Sequence, residues 1–478
     1  MSMSVPAPIG LKALFKEVLS TKSGKLSLII LIFIASLAIA VPVHAGPEVI
    51  RKWNDPTAWE DYPTCAAPEW VDIFLGIRSC RNTYIGQEDF FKYSKPIGGG
   101  IYKLIILSAK ISYDYDTFPN IWDGFRISIE INTTQSMFIE IRWVRPDERV
   151  VVLWSEVVYG SSPVTLLATD WDIRDATSAF IYNATGIYIE REKTFPQIAL
   201  FAKVGPNMND PDRAEVLRGT YKLIISAVVY GEGDIEASFL IYGRVFGLAG
   251  TDNLRRDIII GILWGAPIAL AFGLSAALIL SFVHALFGII AGWFGGRIDA
   301  FIQRLTEVLM IIPILPILIL ISYVWTTIYL KTMPIWMVIV ILIALSPVGG
   351  ATLTVRSLTL QIKEEQYILA TIACGAGSSR VIFKHILPRV IPYMIVSIVS
   401  AVPGYIFLEA ALSILGLGDP TLPTWGKILS DAYNAKALYV GWWWWILIPA
   451  FFIVITAFAF ALLGYALDKI VNPRLREL

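Results

Sequence analysis

The side chains with chemical potential in this 478-residue chain are few and widely spaced. Gly375–Ser379 reads GAGSS, yet a loop that cradles phosphate needs a Lys that is missing here, and no strand leads into it. His44, His284 and His385 are far apart, and no Cys/His cluster has metal-ligand spacing. No Gly-x-Ser-x-Gly nucleophile turn occurs. The expectation is a chain without catalytic residues, metal or cofactor of its own. Three weaker chemical signals remain. Cys65 and Cys80 form an isolated pair that can bond as a disulfide in an oxidising compartment. Asn132-Thr-Thr and Asn183-Ala-Thr are glycosylation sequons. Glu409 is an ionisable residue in an apolar stretch, where it serves either transport or a local pairing, for example with Lys427.

The elements that must position these residues are set by apolar blocks. The chain is 56% hydrophobic and 16% charged, against roughly 25% charged in soluble proteins. Leu26–Val43 is about as long as a bilayer core requires. It follows a Lys-rich start, so residues 1–25 are expected as a cytosolic tail and 26–46 as the first transmembrane helix. A signal peptide is the competing reading of the same pattern. Five further spans are expected near 261–291, 301–325, 335–352, 391–415 and 443–467. Six crossings put both termini in the cytosol, with Arg297, Arg304, Arg356, Lys363, Arg380 and Lys384 on that side. Trp442–Trp445 opens the last span as an interfacial anchor, although such a run can also stack sugars. Lipid bilayer is thus an expected partner. No clustered basic stripe indicates nucleic acid.

Residues 47–246 read differently. Acids outnumber bases there, and the reverse holds in the rest of the chain. Ile139, Ile141 and Trp143 alternate with Glu140 and Arg142, the period of a half-buried strand. Arg145–Arg149 (RPDER) predicts a turn into a second strand at Val150–Trp154. Tyr221–Val229 and Ile235–Tyr242 predict another hairpin across GEGD, and no long helical period is read anywhere in this region. GIYKLIILSA (Gly100–Ala109) and GTYKLIISA (Gly219–Ala227) suggest either a duplicated module or a common type of closing strand. The expectation is an extracytoplasmic β-sandwich, or a pair of small ones.

The polar stretch within 356–390 is the most informative. Glu364–Cys374 suits a short helix with Glu364 and Glu365 in its first turn. Gly375 can end it, Ser378 or Ser379 can cap the next helix, and Pro388 is expected to stop that one. This segment resembles the coupling loop of ATP-binding-cassette importer permeases, whose pattern is Glu-Ala-Ala, then Gly, then Ile-x-Leu-Pro. Here Leu369-Ala370-Thr371, Gly375 and His385-Ile386-Leu387-Pro388 occupy those slots, in the variant typical of the dipeptide/oligopeptide branch. GTDNLRRD (Gly250–Asp257) resembles that branch's Gly-Thr-Asp-x-x-Gly-Arg-Asp signature, with Arg255 in place of the second Gly. Gly292–Pro313, Leu408–Gly426 and Asn472–Glu477 also resemble this branch, and its C-type permease in particular.

The resemblance implies an α-helical polytopic membrane protein: a six-span, type I importer core (247–478) carrying an inserted β-rich domain (47–246). It implies a permease for peptides, or for a related solute such as an oligosaccharide. Its partners would be a second homologous permease, two ATPase subunits carrying ATP and Mg, and an extracytoplasmic substrate-binding protein. It assigns ATPase coupling to Glu364, Glu365, Tyr367, Ala370, Thr371, Gly375, Ser378, Arg380, His385, Leu387 and Pro388. Pro403, Glu409 and Trp425 become translocation-path candidates. A membrane receptor whose outer domain binds a ligand is the alternative, though only short tails and one loop would face the cytosol.

Overall fold

The computed structural model describes residues 16–44, 48–345 and 349–471. The chain forms two compact units: Asp55–Ile259, and the residues up to Asn54 together with those from Ile260 onward. Much of the N-terminal tail, Pro347 and the Asn472–Glu477 motif lie outside the described residues.

The unit Asp55–Ile259 is a β-sandwich. Its strands are β1 (Thr83–Ile85), β2 (Phe91–Ile97), β3 (Tyr102–Tyr113), β4 (Phe125–Thr133), β5 (Ser136–Val144), β6 (Val150–Tyr159), β7 (Val164–Leu167), β8 (Gly219–Tyr230) and β9 (Gly233–Ile241). One antiparallel sheet runs β1-β9-β4-β7 and the other β2-β3-β8-β5-β6. Period-two alternation sends Ile139, Ile141 and Trp143 of β5 and Leu223, Ile225 and Ala227 of β8 inward. There they meet Ile127 and Ile129 of β4 and Phe239 of β9 in one contiguous core. A pair of small sandwiches is therefore excluded. The two similar strings are β3 and β8, antiparallel neighbours in one sheet from Tyr102↔Tyr230 to Tyr113↔Gly219. They are not equivalent strands of two modules.

The RPDER turn does connect a hairpin, with Val144 opposite Val150 and Glu148 at φ 63°. The hairpin expected across GEGD does not form. β8 pairs with β3 and β5, whereas β9 pairs with β4 and β1 in the other sheet. Gly231, at φ 75°, turns the chain, but the strands it joins bury their apolar faces on opposite sides of the core. The structure also contains a helix at Trp171–Thr185, against expectation. Its buried Ile173, Thr177, Phe180 and Ile181 keep helical spacing, and Gly186 closes it at φ 76°.

Arg145 is the most deeply buried cation of this unit, with no exposed side-chain surface. Its guanidinium donates to the carbonyls of Ala199, Leu200 and Ala202 at 2.9, 2.9 and 2.6 Å, and it also pairs with Asp147. It thereby ties the 199–202 segment to the β5–β6 turn.

The GTDNLRRD segment packs within the same unit. Thr251 Oγ1 accepts the Ala66 N–H and donates to Pro63 O, and Arg256 forms a buried pair with Asp252. Arg255, where the related signature has Gly, holds φ 65°. A left-handed non-Gly residue costs roughly 1–2 kcal/mol. Here the side chain offsets that cost through Asp123 (2.7 Å), Glu60 O (2.9 Å) and the Tyr242 ring.

Asp257 closes the segment. Burial pushes its carboxyl up to about 6, even though Oδ1 accepts the Ile259 N–H at 3.1 Å. A folded-state pKa above the unfolded value means that stability is full below the unfolded pKa and is lost as pH rises through about 6. Asp257→Asn is expected to narrow the drop in melting temperature between about pH 5 and about pH 7.5. Thermal unfolding of wild type and variant at both pH values checks this, and an unchanged drop would refute it.

Cys65 and Cys80 are free thiols, so the expected disulfide is not formed. Both are buried, and burial pushes Cys80 up to about 12, which leaves it an unreactive core residue. Their segments are held by main-chain bonds, Cys65 N–H to Asp252 O and Arg244 N–H to Cys80 O. Asn132 and Asn183 are both exposed.

The other unit is helical: α1 (Lys22–His44), α2 (Ile258–Phe294, entering it at Ile260), α3 (Gly296–Ile311), α4 (Ile314–Tyr329), α5 (Ile335–Leu345), α6 (Gly350–Lys363), α7 (Gln366–Ala373), α8 (Ser378–Ile414), α9 (Trp425–Asn434) and α10 (Trp444–Val471). Long apolar runs account for these helices, since only intrahelical hydrogen bonds satisfy a backbone in lipid. Among the described residues, four helices are long and apolar enough to cross a membrane: α1, α2, α8 and α10. The span expected at 301–325 is instead α3 and α4, bent by 79°. Pro313 is the cause, because it forces Ile312 out of helical geometry, to ψ 118°. The pair counts as a fifth crossing only if taken as one span. The span expected at 335–352 is also interrupted, since Gly349 is extended (φ −123°, ψ −174°) before α6 begins at Gly350. α10 packs against both α1 and α8.

Candidate coupling surface

α6 is brought close to α2 by two glycines. A Cβ on Gly288 would lie 2.7 Å from Thr352 O, and one on Gly292 would lie 2.7 Å from Thr359 Cβ. Small residues at i and i+4 let helix backbones approach in this way. Arg356 then pairs with Asp299 of α3, and Glu307 accepts from Gln303. Lys363 donates to Trp293 O at 2.7 Å and lies over that ring.

The short helix α7 follows, and Gly375 ends its turn at φ 85°. Its inner side carries buried Ile368, which joins Val381, Ile386 and Val390 in one cluster. Arg389 fastens it by pairing with Glu365 at 3.3 Å and stacking over Tyr367, whose ring also lies 5.9 Å from His385. Thr371 is half-buried and its hydroxyl donates to Tyr367 O at 2.7 Å. That accounts for Thr at a slot where the related pattern has Ala: the extra oxygen is satisfied inside its own helix.

The sequence-derived residues therefore divide into two groups. Glu364, Ala370, Gly375, Ser378 and Arg380 are exposed. Glu365, Tyr367, Thr371, His385, Leu387 and Pro388 are half-buried and hold the segment in place. Sequence reasoning left out Arg389, together with Ile372 and Phe383, which are 41% and 66% exposed. A charge one residue past Pro388 and apolar residues in a polar loop were the available signals.

Two local expectations are corrected. The residue flanking α8 is Gly377, with no side-chain cap, and Ser378 is already helical. Pro388 does not stop the helix, which runs on to Ile414. Residues Ile382–Ile386 form a π turn in which the Leu387 N–H reaches Ile382 O. That wider turn accommodates the ring and the missing N–H of Pro388, which together would break an ordinary helix.

The translocation candidates lie elsewhere in the helical unit. Glu409 is buried and accepts from the Ser413 hydroxyl at 2.8 Å and from Thr424. Lys427 pairs with Asp431, not with Glu409. Trp425 is buried, its indole N–H donating to Ile262 O at 2.8 Å and its ring flat against Gly265. It packs within the helical unit. Pro403 is half-buried within α8. At the start of α10, Trp444 and Trp445 are buried, leaving Trp442 and Trp443 half-exposed.

Residues 284–477 match the family described as "Binding-protein-dependent transport system inner membrane component". The oligopeptide transport system permease protein OppC of Bacillus subtilis is 36% identical over 231 residues, which is 48% of this chain and 72% of that protein. The dipeptide transport system permease protein DppC of the same organism is 38% identical over 229 residues, 48% of this chain and 69% of that protein. OppC of Escherichia coli K12 is 32% identical over 228 residues, 47% and 72%. On the shared motifs, the apolar helices and these relatives, the chain belongs to the binding-protein-dependent transport system inner membrane components, the permease subunits of ATP-binding-cassette importers.

Proposed function

We propose that the chain moves peptides inward through a complex with a second homologous permease, two ATPase subunits and an extracytoplasmic binding protein. The observation that carries this reading is the exposed face of α7 with Gly375, set on a fastened inner side. A partner that closes on ATP can push such a surface as a rigid body, and the spans rock to open a cavity alternately outward and inward. In this scheme ATP and Mg belong to the partner subunits and the chain needs no cofactor. The importer core is of type I with six crossings, α3–α4 and α5–α6 supplying the two interrupted ones. Both termini and the segment 356–390 are cytosolic, and residues 47–246 lie outside as a platform for the binding protein. The path candidates Pro403, Glu409 and Trp425 shape the spans rather than select cargo.

Cys374 tests the orientation directly. It is exposed, whereas the other two thiols are buried. A membrane-impermeant maleimide is expected to label Cys374 in inside-out vesicles and to leave it unlabelled in right-side-out ones. The opposite pattern would overturn the proposed topology.

A further inference from the structure

An apolar groove of about 290 Å³ lies where the last turns of α2 meet the start of α8. Phe282, Leu286, Ile290 and Phe294 form one wall, and Ile382 and Phe383 belong to the other. Among the described residues, the only polar ones in the lining are Ser378 and Ser379, at the beginning of α8. The volume matches on the order of ten water-sized groups, but the lining offers water almost no hydrogen-bond partners.

The four α2 residues recur every fourth position, so they form one stripe along the helix. Phe282, Leu286 and Phe294 are 59%, 47% and 53% exposed, while Ala285, Ile289 and Trp293 pack inward on the cluster that supports α7. The groove therefore continues the outward face of a membrane-crossing helix. Arg380 and Lys384, one turn apart beside it, are exposed, and neither is in an ion pair among the described residues. α2 and α8 run in opposite directions, Gly273 meeting Val402 and Ile406 while 282–294 meets 378–387, so these cations and the serines lie at the same end as Phe294. An apolar slot with hydroxyls and unpaired cations at one end fits a molecule with a hydrocarbon tail and an anionic head.

We propose that this groove holds the tail of an anionic membrane lipid from the cytosolic leaflet, with its headgroup facing Ser378, Ser379, Arg380 and Lys384. The lipid would wedge between a span and the root of the coupling segment, next to the π turn at Ile382–Ile386. The proposal rests on the cytosolic placement given above. Cys374 labelling tests that placement separately, so a failure of the lipid site leaves it standing.

The test is native mass spectrometry of the assembled importer purified in mild detergent, after exchange into phosphatidylcholine with or without phosphatidylglycerol. Phosphatidylglycerol is expected to be retained on the wild type. Ile290→Trp, which fills the groove, is expected to lower retention about tenfold, and Lys384→Gln to reduce the preference for phosphatidylglycerol over phosphatidylcholine. If Ile290→Trp does not assemble, a photoactivatable phosphatidylglycerol on the wild type gives the same answer through adducts within Phe282–Phe294. Equal retention by the groove-filled variant, adducts elsewhere only, or a groove cross-linked to a partner subunit in place of lipid would each overturn the proposal.

Discussion

Gly375→Arg is expected to strip the ATPase subunits from the purified complex and to reduce uptake about a hundredfold, while Gly375→Asn leaves both nearly intact. The difference follows from local geometry. Gly375 sits at φ 85° on an exposed turn, and a Cβ added there meets nothing within 4 Å. Steric clash within the chain is thus not the issue. Backbone strain is, at roughly 1–2 kcal/mol for most residues and less for Asn, whose side chain tolerates this conformation. Arginine adds an unpaired charge to a surface that must be buried against a partner, at a cost of several kcal/mol, and about 1.4 kcal/mol is tenfold in affinity. Co-purification with a tagged permease and uptake into proteoliposomes check both variants. Retention of the ATPase by Gly375→Arg would remove the coupling assignment, whereas loss in both variants would indicate a folding defect of the turn.

The second large effect lies in the β-sandwich. Arg145→Ala is expected to destabilise that unit by about 3–5 kcal/mol, the scale for removing a buried charged donor that satisfies several buried acceptors. The variant leaves the carbonyls of Ala199, Leu200 and Ala202 without their donor in a closed interior. Arg145→Lys should recover only part of the loss, because a point charge cannot reproduce the planar fork that reaches three carbonyls. Limited proteolysis of the full chain in detergent reads this as faster cleavage within residues 146–205. ATPase co-purification should not change, since the fastening residues of α7 belong to the other unit. Wild-type resistance in Arg145→Ala would show that the buried guanidinium is dispensable.

Legibility differed from element to element. The α7 turn was readable because only glycine enters the left-handed region freely, and Gly375 stood where the helical pattern ran out. Arg255 was visible only as a departure from a related signature. Its reason is non-local, since its side chain pairs with Asp123, just before β4, and lies over Tyr242, just after β9. Pro388 misled for the opposite reason. Proline does end most helices, but a π turn five residues long removed the conflict, and no local rule predicts that turn. The helix Trp171–Thr185 was obscured because its inward face includes Thr177 and Ser178, which blur the apolar stripe.

What the sequence determined by itself was the solvent of each part and the period of its elements. Apolar blocks of about twenty residues with few charges indicate membrane helices, and strict alternation covers one face of a sheet. The motif residues of 356–390, read locally, indicated two short helices, and the coupling role is what their resemblance to importer permeases implies. The tertiary structure decided which strands pair, where β8 and β9 part to different sheets although only Gly231 and Glu232 join them. It left Cys65 and Cys80 as separate buried thiols, and it sorted the candidate coupling residues into an exposed face and a fastened one. Those outcomes depend on contacts between residues far apart in the chain, and a local pattern specifies which face a residue shows but not what it meets there.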